Sequence, residues 1–263
     1  MRTDRPAAAP PGRVIFVGAG PGSADLITLR GARALGVAEV VLFDALTDPA
    51  LRDLAPQARW IDVGKRGFAP STGQARIDAL LVRLARSHAV VVRLKGGDPG
   101  VFGRLEEELQ ALATAGIECE VVPGVTAALA AAAAAKRPLT RRGSSRSVSL
   151  RTAMTEGGSA DLRAAHRADT EVYYMAGRQL PRLGRALRAG GWPDDAPCCV
   201  VSRAGWPDVL CSEHRVDGLG AAALLHGGRP TVVVVGAGAA GLAPPCRAQA
   251  QTAASPTVGA SAP

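Results

Sequence analysis

Val90-Val91-Val92-Arg93-Leu94-Lys95-Gly96-Gly97-Asp98-Pro99-Gly100-Val101-Phe102-Gly103-Arg104 opens as a β-branched run and then breaks abruptly. A continuous apolar run of this kind is the pattern of a strand covered on both faces of a parallel sheet. Two glycines, an aspartate and a proline follow before a helix-compatible segment begins. Glycines at a strand's carboxyl end let a ligand approach the backbone, and open α/β sheets hold their ligands at that edge. Taken alone, the turn reads equally well as an ordinary strand-to-helix connection, so its neighbours have to decide.

Working toward the N-terminus, the spacing of Ile77, Leu80, Leu81 and Leu84 predicts an amphipathic helix, and Trp60–Val63 a strand ending in Gly64-Lys65-Arg66-Gly67. Pro49–Leu54 reads as a short helical piece, and Val40–Phe43 as a strand ending in Asp44. Arg13–Val17 is the first strand, ending in Gly18-Ala19-Gly20-Pro21-Gly22, with Ser23 or Asp25 as cap of a helix carrying Ile27, Ala34, Leu35 and Ala38. Toward the C-terminus, Leu105, Leu109 and Leu112 mark a helix stopped by Gly116, and Glu118–Val122 a strand ending in Pro123-Gly124-Val125-Thr126-Ala127. An alanine-rich run behind it is a strong helix former.

The character changes at Lys136–Ser147, where proline, glycine and serines mix with arginines. Beyond it, strands are expected at 147–151, Glu171–Met175, 198–202, 208–215 and Thr231–Val235, with helices near 160–168 and through Leu180, Leu183 and Leu187. The expected organisation is therefore a disordered leader over 1–12, an α/β domain over 13–135, a junction over 136–146, a second α/β domain over 147–240 and a disordered tail over 241–263.

Two glycine signatures need weighing against a dinucleotide site. GAGPG has GxGxG spacing with Ser23 where the last glycine should stand, and Pro21 removes a backbone donor that a pyrophosphate would need. Gly236-Ala237-Gly238-Ala239-Ala240-Gly241 matches GxGxxG by letter, yet Pro244 and Pro245 leave no helix to bind a phosphate. Both readings are set aside, the second in favour of a final strand running into a tail.

Composition narrows the classes further. The 263 residues are 47% hydrophobic but only 3% aromatic, and carry a formal net charge of +8. No apolar run reaches the length of a membrane span and no signal-peptide core is present, so a soluble cytoplasmic protein without membrane association is expected. Cys119, Cys198, Cys199, Cys211 and Cys246 form no CxxC pair, and the four histidines are scattered, so neither a disulfide framework nor a metal site is expected. The positive charge is nearly all arginine, but no recognisable nucleic-acid module accompanies it, so no nucleic-acid partner is expected. Arg137, Arg141, Arg142, Arg146 and Arg151 are concentrated in one segment, either a solvated face or a site for a polyanionic small molecule.

Four glycine-rich or polar strand ends (Gly18–Gly22, Gly64–Gly67, Gly96–Gly100, Pro123–Ala127) would share one edge of a parallel sheet and face one crevice. Without a nucleophile elbow, phosphate loop or metal cluster, such a site suits direct transfer between two positioned ligands. Here a family resemblance enters. VGAGPG from Val17, FDAL from Phe43, VGKR from Val63, VRLKGGDP from Val92 with FGR from Phe102, and VPGVTAA from Val122 resemble, in order, the tetrapyrrole methylases. VGKR, RLKGGDP and FGR are most similar to the branch that C-methylates uroporphyrinogen III, with further similarity at Tyr173–Met175 and Val200–Asp208.

The resemblance implies a two-domain α/β tetrapyrrole methylase fold, with a mostly parallel N-terminal sheet and S-adenosyl-L-methionine in the interdomain cleft. It also implies a homodimer and an anionic tetrapyrrole substrate, methylated at C2 and C7 to give precorrin-2 for sirohaem and cobalamin. Matching motifs assign donor contacts to Pro21, Gly96, Gly97, Asp98, Val101, Thr126, Ala127, Met175 and Ala204. They assign the proton acceptor to Asp44 and the proton donor to Lys65. By the residues alone, Met175 reads as core packing, while Asp44 could also be a turn-capping acid and Lys65 a surface charge. The chain departs from the family at Thr140–Ser144 and Thr152–Met154, where a Thr-His-Arg-Asp-Tyr-like segment and a Thr-Gly-His are usual. Those departures leave open another precorrin C-methyltransferase or a non-catalytic donor-binding homologue.

Overall fold

The computed structural model describes residues 11–64, 73–154 and 167–241. The expected helix near 160–168 and the candidate Lys65 fall largely or wholly outside these residues.

The first sheet runs β1 (Arg13–Gly18), β2 (Val40–Phe43), β3 (Arg59–Asp62), β4 (Val90–Lys95) and β5 (Cys119–Val122). Their spatial order is β3-β2-β4-β1-β5, and every pairing is parallel. The Val90–Lys95 run is therefore the central strand. Alternation sends Val92 and Leu94 to the face covered by α1 (Leu29–Gly36) and Val91 to the face covered by α2 (Gln74–Ala85) and α3 (Leu105–Thr114).

The first helix begins later than the sequence suggests. Ser23 and Asp25 belong to a 3-10 turn at Ala24–Leu26, and Ile27 is extended, so the chain cannot turn helical until it has passed that residue. Thr28 is the cap instead: its Oγ1 accepts from the N–H of Gly31 at 3.1 Å.

The second sheet comprises β6 (Val148–Thr152), β7 (Thr170–Tyr174), β8 (Pro197–Ser202), β9 (Leu210–Arg215) and β10 (Thr231–Gly236), in the order β6-β7-β10-β8-β9. Only β6 and β7 pair in parallel; the remaining pairings are antiparallel. One face is covered by α5 (Leu180–Ala189) and the other by α4 (Ala127–Ala134). The small Ala128, Ala130 and Ala131 of α4 pack against Val172, Tyr174, Val201 and Val234. The helix that leaves the first sheet thus carries the chain onto the second.

The GxGxxG stretch closes the fold. A Cβ on Gly236 would lie 2.5 Å from Trp192, and one on Gly238 2.6 Å from the Thr170 methyl. Protein therefore fills the space that a phosphate would need. In the junction, Arg137 pairs with Glu213 and donates to the Ala239 carbonyl, while Arg141 donates to the Ala240 carbonyl. Arg151 pairs with Glu171 at 3.2 Å, so of the five clustered arginines Arg142 and Arg146 are the exposed ones.

Candidate active site

Because all five strands of the first sheet point the same way, their carboxyl ends share one edge, and the glycine turns meet there. Gly20 and Gly97 exchange backbone hydrogen bonds: the Gly97 N–H donates to the Gly20 carbonyl at 2.7 Å, and the Gly20 N–H to the Gly97 carbonyl at 3.2 Å. Asp98 ties in the third turn. Its Oδ1 accepts from the Gly100 N–H at 2.8 Å and its Oδ2 from the Gly124 N–H at 2.9 Å. Gly97 sits at φ +70, which an L side chain rarely adopts, and a Cβ on Gly96 would meet only Leu46, at 3.6 Å. Among the described residues no neighbouring group demands glycine at position 96, where Leu46 stands at van der Waals distance.

The second domain closes on this edge through several contacts among the described residues. Thr126 Oγ1 and the Tyr174 hydroxyl are 2.7 Å apart, the Phe102 and Tyr174 rings are 5.0 Å apart, and the Ser23 N–H donates to the Gly205 carbonyl at 2.7 Å. Burial raises the Tyr174 phenol above its ordinary pKa, so at neutral pH it is a hydroxyl partner for Thr126. Strain concentrates here: Phe102, Arg104, Met175 and Arg203, none of them glycine, all have φ between +50 and +57. Such residues cost about 1–3 kcal/mol each and cluster at ligand sites.

Behind the edge lies a buried chain of charges. Arg93 and Lys95 share the β4 face toward α3, where Glu108 is fully buried. Arg93 pairs with Glu108 at 3.0 Å and with Asp44 Oδ1 at 2.7 Å, and Lys95 pairs with Glu108 at 2.6 Å. Burial opposes the charge on Arg93, but the carboxylates of Asp44 and Glu108 outweigh it and hold the guanidinium above its ordinary range. Burial, helped by the neighbouring Arg93 charge, pulls Lys95 below its ordinary value despite Glu108. Glu108→Gln keeps the shape but removes the one charge shared by two buried cations. We expect a stability loss of about 2–3 kcal/mol, read as a lower urea midpoint with an unchanged slope.

The structure thus gathers Pro21, Gly96, Gly97, Asp98, Val101, Thr126, Ala127, Met175 and Ala204 where the carboxyl edge of the first sheet meets the second domain. Val101 and Ala127 pack against the cluster holding Tyr174 and Ala204, and Pro21 faces Gly205. Met175 is 44% exposed, which removes the core-packing reading for it. Asp44 stands at the same edge with its side chain 31% exposed, while Lys65 lies outside the described residues. Both carboxylate oxygens of Asp98 accept from backbone N–H groups of the turns.

The profile of the tetrapyrrole (corrin/porphyrin) methylases matches residues 13–216. The chain is a tetrapyrrole methylase. Its curated relatives include a uroporphyrinogen-III C-methyltransferase of Pseudomonas aeruginosa, 46% identical over 195 residues, covering 73% of this methylase and 80% of that protein. A sirohaem synthase of Hahella chejuensis is 43% identical over 208 residues, but the methylase covers only 44% of its length. Among solved structures, the uroporphyrin-III C-methyltransferase of Thermus thermophilus complexed with S-adenyl homocysteine superposes with a TM-score of 0.76. That structure is 38% identical, and the match covers 86% of the methylase and 98% of that chain.

Several residues that shape the methylase's crevice were not singled out from the sequence. Arg93 announced itself only as a charge inside a strand that should be apolar. Glu108 was one of three consecutive glutamates on α3, distinguishable only once α3 packs on β4. Tyr174 is 48 residues from Thr126, and no local pattern joins them.

Proposed function

We propose that this methylase transfers methyl groups from S-adenosyl-L-methionine to C2 and C7 of uroporphyrinogen III, giving precorrin-2, and that it acts in the cytoplasm as a homodimer. The observation that carries the reading is the joining of three glycine turns, by the Gly20–Gly97 backbone exchange and by Asp98, beside a face of Gly96 that only Leu46 borders among the described residues. Relatives at 40–46% identity that bear the name uroporphyrinogen-III C-methyltransferase support the choice of substrate. Among the described residues there is no cluster of metal-ligating side chains and no helix long and apolar enough to cross a membrane.

When bound, the donor supplies an electrophilic methyl group on a sulfonium centre. The protein's part is to align that group with a nucleophilic pyrrole carbon and to exclude competing geometries, and alignment of this kind carries much of such a rate enhancement. Gly96, Gly97, Thr126 and Ala127 form the floor of the donor seat, while Met175 and Ala204 close it from the second domain. After methyl transfer the ring must lose a proton. Arg93 occupies Asp44 Oδ1, so Oδ2 is the oxygen that takes it; Lys65 serves as donor in the tautomeric shift that follows, adding a proton at one ring position as another leaves elsewhere, so that each methylation loses one proton net.

The test is to incubate purified protein with uroporphyrinogen III and the donor and to analyse the oxidised product by fluorescence and mass. The expected product is red-fluorescent and carries two added methyl groups. Donor binding with turnover only of a later precorrin would move the substrate assignment, and binding with no product on any tetrapyrrole would make the chain a binding homologue.

A further inference from the structure

Beneath the two second-domain loops lies a buried hydroxyl–imidazole chain that the proposed reaction does not use. His226, the last residue of α6 (Ala223–His226), is fully buried. Its Nδ1 lies 2.5 Å from Ser202 Oγ and its Nε2 2.8 Å from Ser212 Oγ. Ser202 Oγ also lies 3.0 Å from Thr231 Oγ1, and Ser212 Oγ 2.7 Å from His214 Nε2.

Donor–acceptor accounting orders this chain. The Thr231 hydroxyl donates to the Arg229 carbonyl at 2.8 Å, so toward Ser202 it can only accept. Ser202 therefore spends its single proton on Thr231, and its oxygen accepts from His226 Nδ1–H. Neutral imidazole then accepts at Nε2 from the Ser212 hydroxyl, which in turn accepts from His214 Nε2–H. Every hydrogen has one place, and His226 sits at the centre, uncharged.

The chain ends directly under both loops. Ser202 is the last residue of β8; Arg203 (φ +50), Ala204 and Gly205 (φ +83) follow, and the Arg203 N–H donates to the Pro230 carbonyl at 2.8 Å. Thr231 begins β10, and its carbonyl accepts from the Ala176 N–H at 3.1 Å, immediately after Met175 (φ +57). A Cβ on Gly177 would lie 2.1 Å from the Arg229 carbonyl oxygen and 3.0 Å from Thr231 Oγ1. The left-handed residues Met175 and Arg203 are thus anchored to one polar knot.

We infer that neutral His226 is a positioning residue for the methyl-donor site, holding the Met175 and Ala204 loops together through Ser202 and Thr231, and that protonating it loosens both. The inference rests on the donor site proposed above. A proton on Nε2 would confront the Ser212 O–H and reverse the order of the chain toward His214. The charged groups facing the ring disfavour it further: His214 from β9 and Arg229 from the segment before β10, whereas β8, β10 and the 3-10 turn at Leu219–Ala222 present uncharged groups. The Asp208 carboxylate pairs with Arg203 and Arg229, not with the ring. Burial first, then the His214 and Arg229 charges, hold the imidazole below its ordinary value of 6.5. A depressed histidine withdraws its contribution as pH falls below the unfolded value toward the folded one, so the loosening belongs on the acid side.

The experiment titrates S-adenosylhomocysteine calorimetrically into full-length wild type, His226→Asn and His226→Leu between about pH 8 and about pH 5.5. Asparagine's amide stands in for Nδ1–H but cannot titrate; leucine removes both bonds. Wild type should weaken roughly tenfold across that range, His226→Asn should stay within about threefold of wild type at pH 8 and lose that weakening, and His226→Leu should bind about tenfold less tightly throughout. Either of two results overturns the inference: His226→Asn keeping the wild-type pH dependence, or a folded His226→Leu binding as tightly as wild type. Should His226→Leu fail to fold, the asparagine variant decides alone. Absence of binding to wild type at every pH would instead overturn the donor site itself.

Discussion

Asp44→Asn is expected to lower turnover by roughly 10²–10⁴-fold while leaving donor affinity within about twofold. The asymmetry follows from where the residue sits. Asparagine is nearly isosteric, and its carbonyl oxygen can still accept from the Arg93 guanidinium, which approaches Asp44 Oδ1 at 2.7 Å. Backbone contacts hold the position independently: the Asp44 N–H donates to the Leu94 carbonyl at 3.3 Å, and the Thr47 hydroxyl donates to the Asp44 carbonyl at 2.8 Å. What the substitution removes is an oxygen able to take a proton from the methylated ring. Single-turnover rates with saturating donor, set beside calorimetric donor affinities, measure the two effects separately. Equal and small losses in both would return Asp44 to the role of a turn residue.

Asp98→Ala is expected to weaken donor binding by about 100-fold, with a smaller effect on turnover at saturating donor. The carboxylate accepts one backbone N–H from its own turn, at Gly100, and one from the neighbouring turn, at Gly124. Hydrogen bonds to a charged acceptor contribute about 1.5–3 kcal/mol each, so alanine removes enough to let the two turns separate. The turn of Asp98 would then keep the Gly20–Gly97 exchange but lose its tie to Gly124. Asp98→Asn keeps one acceptor but sets an amide N–H₂ against one of the two donors, so an intermediate loss is expected. Unchanged affinity in the alanine variant would break the link between this turn and the donor.

How much of this was readable beforehand depends on the range over which each residue acts. The Val90–Lys95 strand was legible because a parallel strand covered on both faces needs a continuous apolar run, and the glycine turns because backbone approach at strand ends needs small residues. The ordered motifs carried the family and its fold. The start of α1 was misplaced because Ser23 and Asp25 are as good caps as Thr28, and only the extended conformation of Ile27 excludes them. Which sheet α4 would cover was invisible, since a helix of seven alanines and the single Leu129 has no apolar stripe to point. The mostly antiparallel second sheet was likewise hidden, because alternating strands and helices do not state the direction in which strands pair. Arg93, Glu108 and the His226 knot escaped for one shared reason. Each is a polar residue whose partners are brought to it by tertiary packing, and a sequence shows the charge or the ring but not what answers it.

The most direct test of the account supplies S-adenosyl-L-methionine labelled with ¹³C in its methyl group together with uroporphyrinogen III, and locates the label in the product by NMR. Two enriched methyl carbons are expected, bonded to C2 and C7 of the macrocycle. Label found on any other ring position, or an unmethylated tetrapyrrole recovered from protein that demonstrably binds the donor, would contradict it.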